Sequence, residues 1–295
     1  MKKVKWLGAI TVLSGAALTL TACGNNNNNN ASDKKVSFKE AVPKKQVKKG
    51  GTLKYAIESD SPFTGIFLPE LSDTATDSEI QAPGLEGLFT TDDSYKINNK
   101  GAAIFKLDKN AKTITIEVKD GVKWSDGKQV NAKDLEYPYE ILANKKTQAQ
   151  RYDSTLESIQ GMKEYHEGKA KTISGIEMPD GEKGRTIVIH YKQMRPGMYF
   201  SGNGYFWESA APYHYLKNVP FNKLQSCDQI RKKPLYFGPF KLDKLVRGQS
   251  VTWVPNKYYW RGKPKLNKVV IQVVSPNSAS QAIKSHKFDI AGVIN

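Results

Sequence analysis

Two cysteines and four histidines are the side chains of this sequence best suited to attack a substrate or hold a transition metal. Cys227 stands alone beside Asp228, the setting of an inert or partly buried thiol rather than an activated one. His166, His190, His214 and His286 are far apart, and none has a second His or Cys at ligand spacing, so no zinc site is expected. There is no Gly-x-Ser-x-Gly elbow and no phosphate loop. Asp120 and Asp126 each precede a glycine and read as turn carboxylates. The chain is therefore not read as an enzyme, and no cofactor is expected. Recognition without covalent chemistry remains.

The elements that would position a recognition surface are organised around residues 119–134, Lys-Asp-Gly-Val-Lys-Trp-Ser-Asp-Gly-Lys-Gln-Val-Asn-Ala-Lys-Asp. The run before it, 113–118, alternates with Ile114, Ile116 and Val118 on one face, the pattern of a half-buried strand. Asp120-Gly121 and Asp126-Gly127 are turn signals on either side of Trp124, so a tight loop presents the indole. Asn131 reads as an N-cap and Asp134 completes a capping box, predicting a helix over 132–143 that Pro138 should kink or shorten.

Elsewhere, 52–57 alternates as a strand and leaves through the turn-rich 58–62. Strands are predicted near 102–107, 175–178, 185–191, 268–274 and 288–291, with a hairpin of 235–246 and 250–255 about Arg247-Gly248-Gln249. Helix is expected in part of 69–85, through Leu156, Ile159, Met162 and Tyr165 as far as Gly168, and over 277–287. Residues 198–215 are dense in aromatics but broken by Gly202 and Gly204. They read as loop and short helix, packed as core or, alternatively, offered as a stacking surface for sugar or peptide.

With 295 residues, 39% hydrophobic and 25% charged, the chain has ample length for a core and the balance of a globular domain. Its formal charge of +16 comes from scattered lysines without an arginine-rich or RNP-like motif. A basic surface facing an anionic membrane or wall is favoured over nucleic-acid binding. Lys2, Lys3 and Lys5 precede an apolar run over 6–22, the n- and h-regions of a secretory signal. Its end, Leu20-Thr21-Ala22-Cys23, resembles the lipobox of bacterial lipoproteins, which implies a signal over 1–22 and a diacylglycerol thioether on Cys23. Residues 23–49 are rich in Asn and Lys and read as a flexible tether, its lysines a second, electrostatic attachment to anionic headgroups.

The order Asp-Gly-Val-Lys-Trp-Ser-Asp-Gly then Asn-Ala-Lys-Asp resembles the signature of the family 5 extracellular solute-binding proteins, the peptide receptors of ABC importers. Gly50-Gly51-Thr52-Leu53, Gly84–Phe89, Gly238-Pro239-Phe240, Tyr258-Tyr259-Trp260, Pro264 and Phe288–Ala291 fall in the family's order, so the resemblance covers about 50–295. It implies an α/β, type II periplasmic-binding-protein-like first lobe (50–62 and 175–295) carrying a small inserted α+β domain (63–174). It also implies capture of an extended oligopeptide by main-chain hydrogen bonds, delivery to an ABC permease, and attachment to the outer face of the cell membrane by lipid. Carried over by position, Ser59, Asp60 and Ser61 supply backbone contacts and Tyr137 reaches the ligand. Phe237 and Gly238 stand where the family has Asn-Gly, and Phe237 cannot reproduce that amide. Family members are about twice as long and close a second lobe over the peptide. This chain is expected to lack most of that lobe and to bind peptide weakly or not at all. A receptor for a nickel complex, haem or a signalling peptide, and a surface interaction protein without a transport role, are the alternatives.

Overall fold

The computed structural model describes residues 49–293. The signal run, Cys23 and the tether as far as residue 48 lie outside the described residues.

Strand β1 (Thr52–Glu58) takes its partners from the far end of the chain. On one side it pairs in parallel with β10 (Lys268–Val274), on the other with β11 (Ile290–Val293). The sheet continues antiparallel through β9 (Ser250–Pro255) to β8 (Phe240–Val246), giving the order β11-β1-β10-β9-β8. The alternation in β1 sends Leu53, Tyr55 and Ile57 to the face where Val251, Trp253, Val269 and Ile271 form an apolar cluster. Helix α1 (Ala75–Gln81) contributes Ile80 to the same cluster, and the Trp253 indole N–H donates to the Ile80 carbonyl at 3.0 Å.

A second, wholly antiparallel sheet runs β4 (Ala103–Asp108), β5 (Thr113–Val118), β7 (Thr186–His190), β6 (Ile176–Glu177). Ile114, Ile116 and Val118 of β5 are buried as the alternation predicts, against Ile187 and Ile189 of β7 and the apolar side of α2 (Ala132–Ala143). A two-stranded ladder joins β2 (Thr90–Thr91) to β3 (Ile97–Asn98). Sheet membership cuts across the boundary expected at 174, because β6 and β7 follow it in sequence yet pair with β5.

Three local expectations change. The helix expected through 156–168 is a 3-10 turn at Leu156–Ser158 and a short α3 (Met162–His166). Gly161 sits between them at φ +74°, a left-handed conformation that interrupts the ladder of helical hydrogen bonds. Leu156, Ile159 and Met162 still reach one core, because a broken helix can present the same apolar set. Pro138 does not shorten α2, which runs on to Ala143. The last strand starts at Ile290 rather than at Phe288, whose ring is buried.

The loop before α2 is tight but does not present its indole to solvent. Trp124 is 1% exposed and stands edge-on to Phe237 at 5.3 Å. Its N–H donates at 2.9 Å to Asp134, a fully buried carboxylate. Asp134 also accepts the Asn131 backbone N–H at 3.1 Å while donating its own to Asn131 Oδ1 at 3.0 Å, so both halves of the capping box form. Its other oxygen accepts the Tyr213 N–H at 2.8 Å, from the start of α4 (Tyr213–Leu216). One carboxylate thus ties a loop, a helix end and a segment 79 residues away. Asp134→Ala leaves the buried Trp124 indole N–H and two part-buried backbone N–H groups unpaired and is expected to lower unfolding stability by about 3 kcal/mol, read as a fall in the urea midpoint.

Candidate ligand cleft

The exit from β1 lies at the carboxyl end of two parallel strands, where open α/β sheets collect ligands. The Ser59 N–H continues the ladder to the Val274 carbonyl at 3.1 Å, and Ser59 Oγ accepts the Ser61 N–H at 3.2 Å. That Ser turn holds Asp60 and Ser61 outward and exposed.

The other residues expected at a ligand are enclosed. Tyr137 is 3% exposed, its ring edge-on to Tyr213 at 5.1 Å and 6.2 Å from Phe221, within a cluster with Ile66, Leu68 and Ile141. Burial holds its hydroxyl well above the usual tyrosine range. Phe237 is likewise 3% exposed against Trp124. Both polar groups of Gly238 are engaged within the chain: its N–H donates to the Gly84 carbonyl at 3.1 Å, and its carbonyl accepts the Asn256 side-chain amide at 3.0 Å. A Cβ there would collide with the Gly84 and Leu85 carbonyls, which is why glycine occupies the position. Among the described residues no three His, Cys, Asp or Glu side chains converge as metal ligands. Cys227 is half-buried with its thiol turned to the Leu224 carbonyl at 3.3 Å.

An open, mainly apolar cleft of about 420 Å³ lies between Pro69, Leu85, Glu86, Arg151, Phe206 and Trp207. A recess behind it shares Pro69 and Leu85 and reaches Phe237 and Trp124; at about 10 Å³ it is too small for a ligand side chain. Phe206 packs into the core at 5.8 Å from Phe89 and 5.2 Å from Phe105 and, with its neighbour Trp207, lines the cleft.

Trp207 is held at both ends. Its backbone N–H donates to the hydroxyl of the fully buried Tyr139 at 2.9 Å, and its indole N–H donates to Glu70 at 2.7 Å. Glu70 is fully buried, and its second oxygen has no partner among the described residues. Burial pushes its pKa up to about 7, outweighing its own backbone N–H, the indole and the positive Arg151. The Arg151 guanidinium is itself tied to the Ser72 carbonyl at 2.8 Å. Glu86 and Glu208, which also line the cleft, are already bonded: Glu86 to Tyr259 and Arg261, Glu208 to Ser201 and the Gly202 N–H. A rigid aromatic wall with committed carboxylates suits binding. Trp207 falls in the aromatic-rich stretch read as core or as a stacking surface, whereas Glu70 and Arg151 escaped the sequence reading because Glu70 lies 137 residues from Trp207 and no local motif links them.

The model of the bacterial extracellular solute-binding proteins, family 5, matches residues 96–295. The chain belongs to that family. The oligopeptide-binding protein OppA of Lactococcus lactis subsp. lactis is 46% identical over 294 residues, which are 98% of this chain and 49% of that protein. Oligopeptide-binding protein AppA of Bacillus subtilis is 26% identical over 277 residues, 92% of this chain and 45% of that one. Among solved structures, lactococcal OppA complexed with an endogenous peptide in the closed conformation superposes with a TM-score of 0.81 at 48% identity, covering 83% of this chain and 46% of that one. The Bacillus subtilis AppA complex with a nonapeptide, at 23% identity and a TM-score of 0.64, shares the fold, with 84% of this chain and 45% of that one covered. The chain spans about half the length of the curated relatives it matches. Family 5 is a solute-binding family and not an enzyme family.

The elevated carboxyl of Glu70 makes a pH prediction for this member of the family. A carboxyl whose folded pKa lies above its unfolded value binds its proton more tightly when folded. Its contribution is fully present below the unfolded value and is lost as pH rises through the folded one, here about 7. Asp134, raised to about 6 by burial against the Trp124, Asn131 and Tyr213 hydrogen bonds and nearby His214, acts in the same direction. The thermal midpoint is expected to rise as the solution is acidified from about pH 8 to about pH 5. Glu70→Gln, which can still accept the indole N–H, should flatten the upper part of that slope.

Proposed function

We propose that this family 5 protein is an extracellular receptor that captures oligopeptides and hands them to an ABC permease, held at the membrane by lipid on Cys23. The observation that carries the reading is the 48% identity and TM-score of 0.81 with lactococcal OppA closed on a peptide. The cleft supports it. Extended peptides gain affinity from main-chain hydrogen bonds, which read no side chain, and from apolar pockets that take side chains loosely. The exposed turn Ser59-Asp60-Ser61, at the end of β1, supplies the first kind of contact. The open cavity walled by Trp207 supplies the second. Tyr137, Phe237 and Gly238 serve from behind the surface, shaping the walls through the packing described above.

Because Glu70 and Tyr139 hold Trp207 in one orientation before any ligand arrives, little side-chain entropy is lost when a peptide side chain stacks on it. In calorimetric titration with a peptide pool, Trp207→Ala is expected to weaken binding about tenfold, and Trp207→Phe to keep most of it. Equal affinity of the alanine variant and the parent would refute this use of the cleft. For the anchor, Cys23→Ser is expected to move the protein from the membrane fraction to the medium in metabolic labelling with palmitate. An unlabelled but membrane-bound parent would refute lipidation.

A further inference from the structure

A second cavity, of about 300 Å³, lies at the same carboxyl end of the main sheet and differs in kind from the apolar cleft. Its walls include Thr64, Gly65, Ser226, Arg231, Arg247 and Gly248. The strand register explains why these meet. β9 begins opposite Gln272 near the end of β10, and β1 ends opposite Val274, so the β8–β9 turn stands beside the exit from β1. The approach is close: a Cβ on Gly248, which has φ +69°, would lie 3.1 Å from the Pro62 Cβ.

The far wall is equally determined. The buried Asp77 accepts the Gly65 N–H at 3.0 Å and the Thr64 hydroxyl, fixing that part of the exit loop. Arg231, at the end of α5 (Asp228–Arg231), donates from Nε to the Gln225 carbonyl at 2.6 Å and from Nη1 to the Thr64 carbonyl. Those acceptors are neutral, and Arg231 makes no direct ion pair with a carboxylate among the described residues; the nearby Asp77 is already bonded to Thr64 and Gly65. Arg247, exposed at the turn, makes no hydrogen bond or ion pair with another described residue. Among the described residues no carboxylate lines the cavity.

Two guanidiniums in a concave site, one held by carbonyls and one free, create a focused positive potential. Their planar forks match the two oxygens of a carboxylate or the oxygens of a phosphate. We propose that this cavity is an oxyanion site, in which Arg231 is the fixed donor and Arg247 closes over the bound group from the hairpin turn. The site itself stands on this geometry alone. Its natural occupant rests on the peptide-capture reading: the terminal carboxylate of a peptide leaving the β1 exit loop, with free phosphate as the other source of the same chemistry.

The full 295-residue chain is titrated calorimetrically at low ionic strength with inorganic phosphate, and separately with one peptide in free-acid and amidated forms. Arg247 is exposed on a turn and its side chain bonds to no other described residue, so Arg247→Gln leaves the fold intact, which the unchanged circular dichroism and thermal midpoint will show. Loss of charge-assisted hydrogen bonds should weaken phosphate binding about tenfold or more in Arg247→Gln, and Arg247→Lys should recover part of it. If the free-acid peptide suffers the same loss and the amidated one does not, the carboxylate terminus is the occupant. If only phosphate responds, the oxyanion site stands and its source is phosphate. Saturable phosphate binding with no binding of either peptide would remove the peptide-capture reading while leaving the site. Absence of saturable phosphate binding, or equal binding by parent and Arg247→Gln, overturns the proposal.

Discussion

The buried carboxylate of Asp134 is the constraint on which the rest of this structure depends. A charged or even neutral carboxyl group out of contact with water is stable only where donors surround it, and here three segments are drawn in to provide them. Trp124 comes from the loop, Asn131 from the helix cap, and Tyr213 from the segment leading out of the aromatic-rich stretch. The Asp134 carbonyl adds a fourth tie by accepting the Ala211 N–H at 3.0 Å. The same contact therefore sets where α2 begins, which way the indole points, and where residues 211–213 lie.

From that anchor the cleft follows. Once 211–213 is placed against α2, the residues just before it must cross the molecule past Tyr139, whose hydroxyl takes the Trp207 N–H. Trp207 then meets Glu70 from the other side, and a second buried carboxylate fixes the indole that forms the wall. Both acids are used in the same way: each gives up hydration in return for orienting a tryptophan N–H. They differ in outcome because Asp134 is surrounded by donors, whereas Glu70 keeps one oxygen unpartnered among the described residues. Burial raises the pKa of both carboxyls.

The two cavities differ in chemistry. The cleft at Trp207 is mainly apolar and the carboxylates that line it are already bonded, which in the proposed reading makes it a loose pocket for side chains. The cavity beside the exit from β1 is more polar and has two arginines in its lining, which is the basis of the proposed oxyanion site. For a family 5 binding protein, weak side-chain discrimination combined with main-chain grip is the arrangement that accommodates many peptides.

Local sequence determined those parts that depend on neighbours along the chain. The alternation of Ile114, Ile116 and Val118 predicted which face of β5 is buried, and Asn131 with Asp134 marked the start of α2, because strand pleat and helix capping act within a few residues. The phrase around Trp124 was enough to place the chain in its family. Tertiary structure alone decided what depends on partners far away. The indole of Trp124 turned inward because Asp134 and Phe237 waited there. Tyr137, Phe237 and Gly238 were enclosed by Phe221, Trp124 and Gly84, and β6 and β7 joined the sheet of β5 across the boundary that the family resemblance implied. Glu70 with Trp207, and Arg231 with Arg247, became sites only when the fold closed the distance between them. Local patterns constrain torsions and faces, whereas cavities and buried charges are properties of contacts between segments that no window of sequence contains.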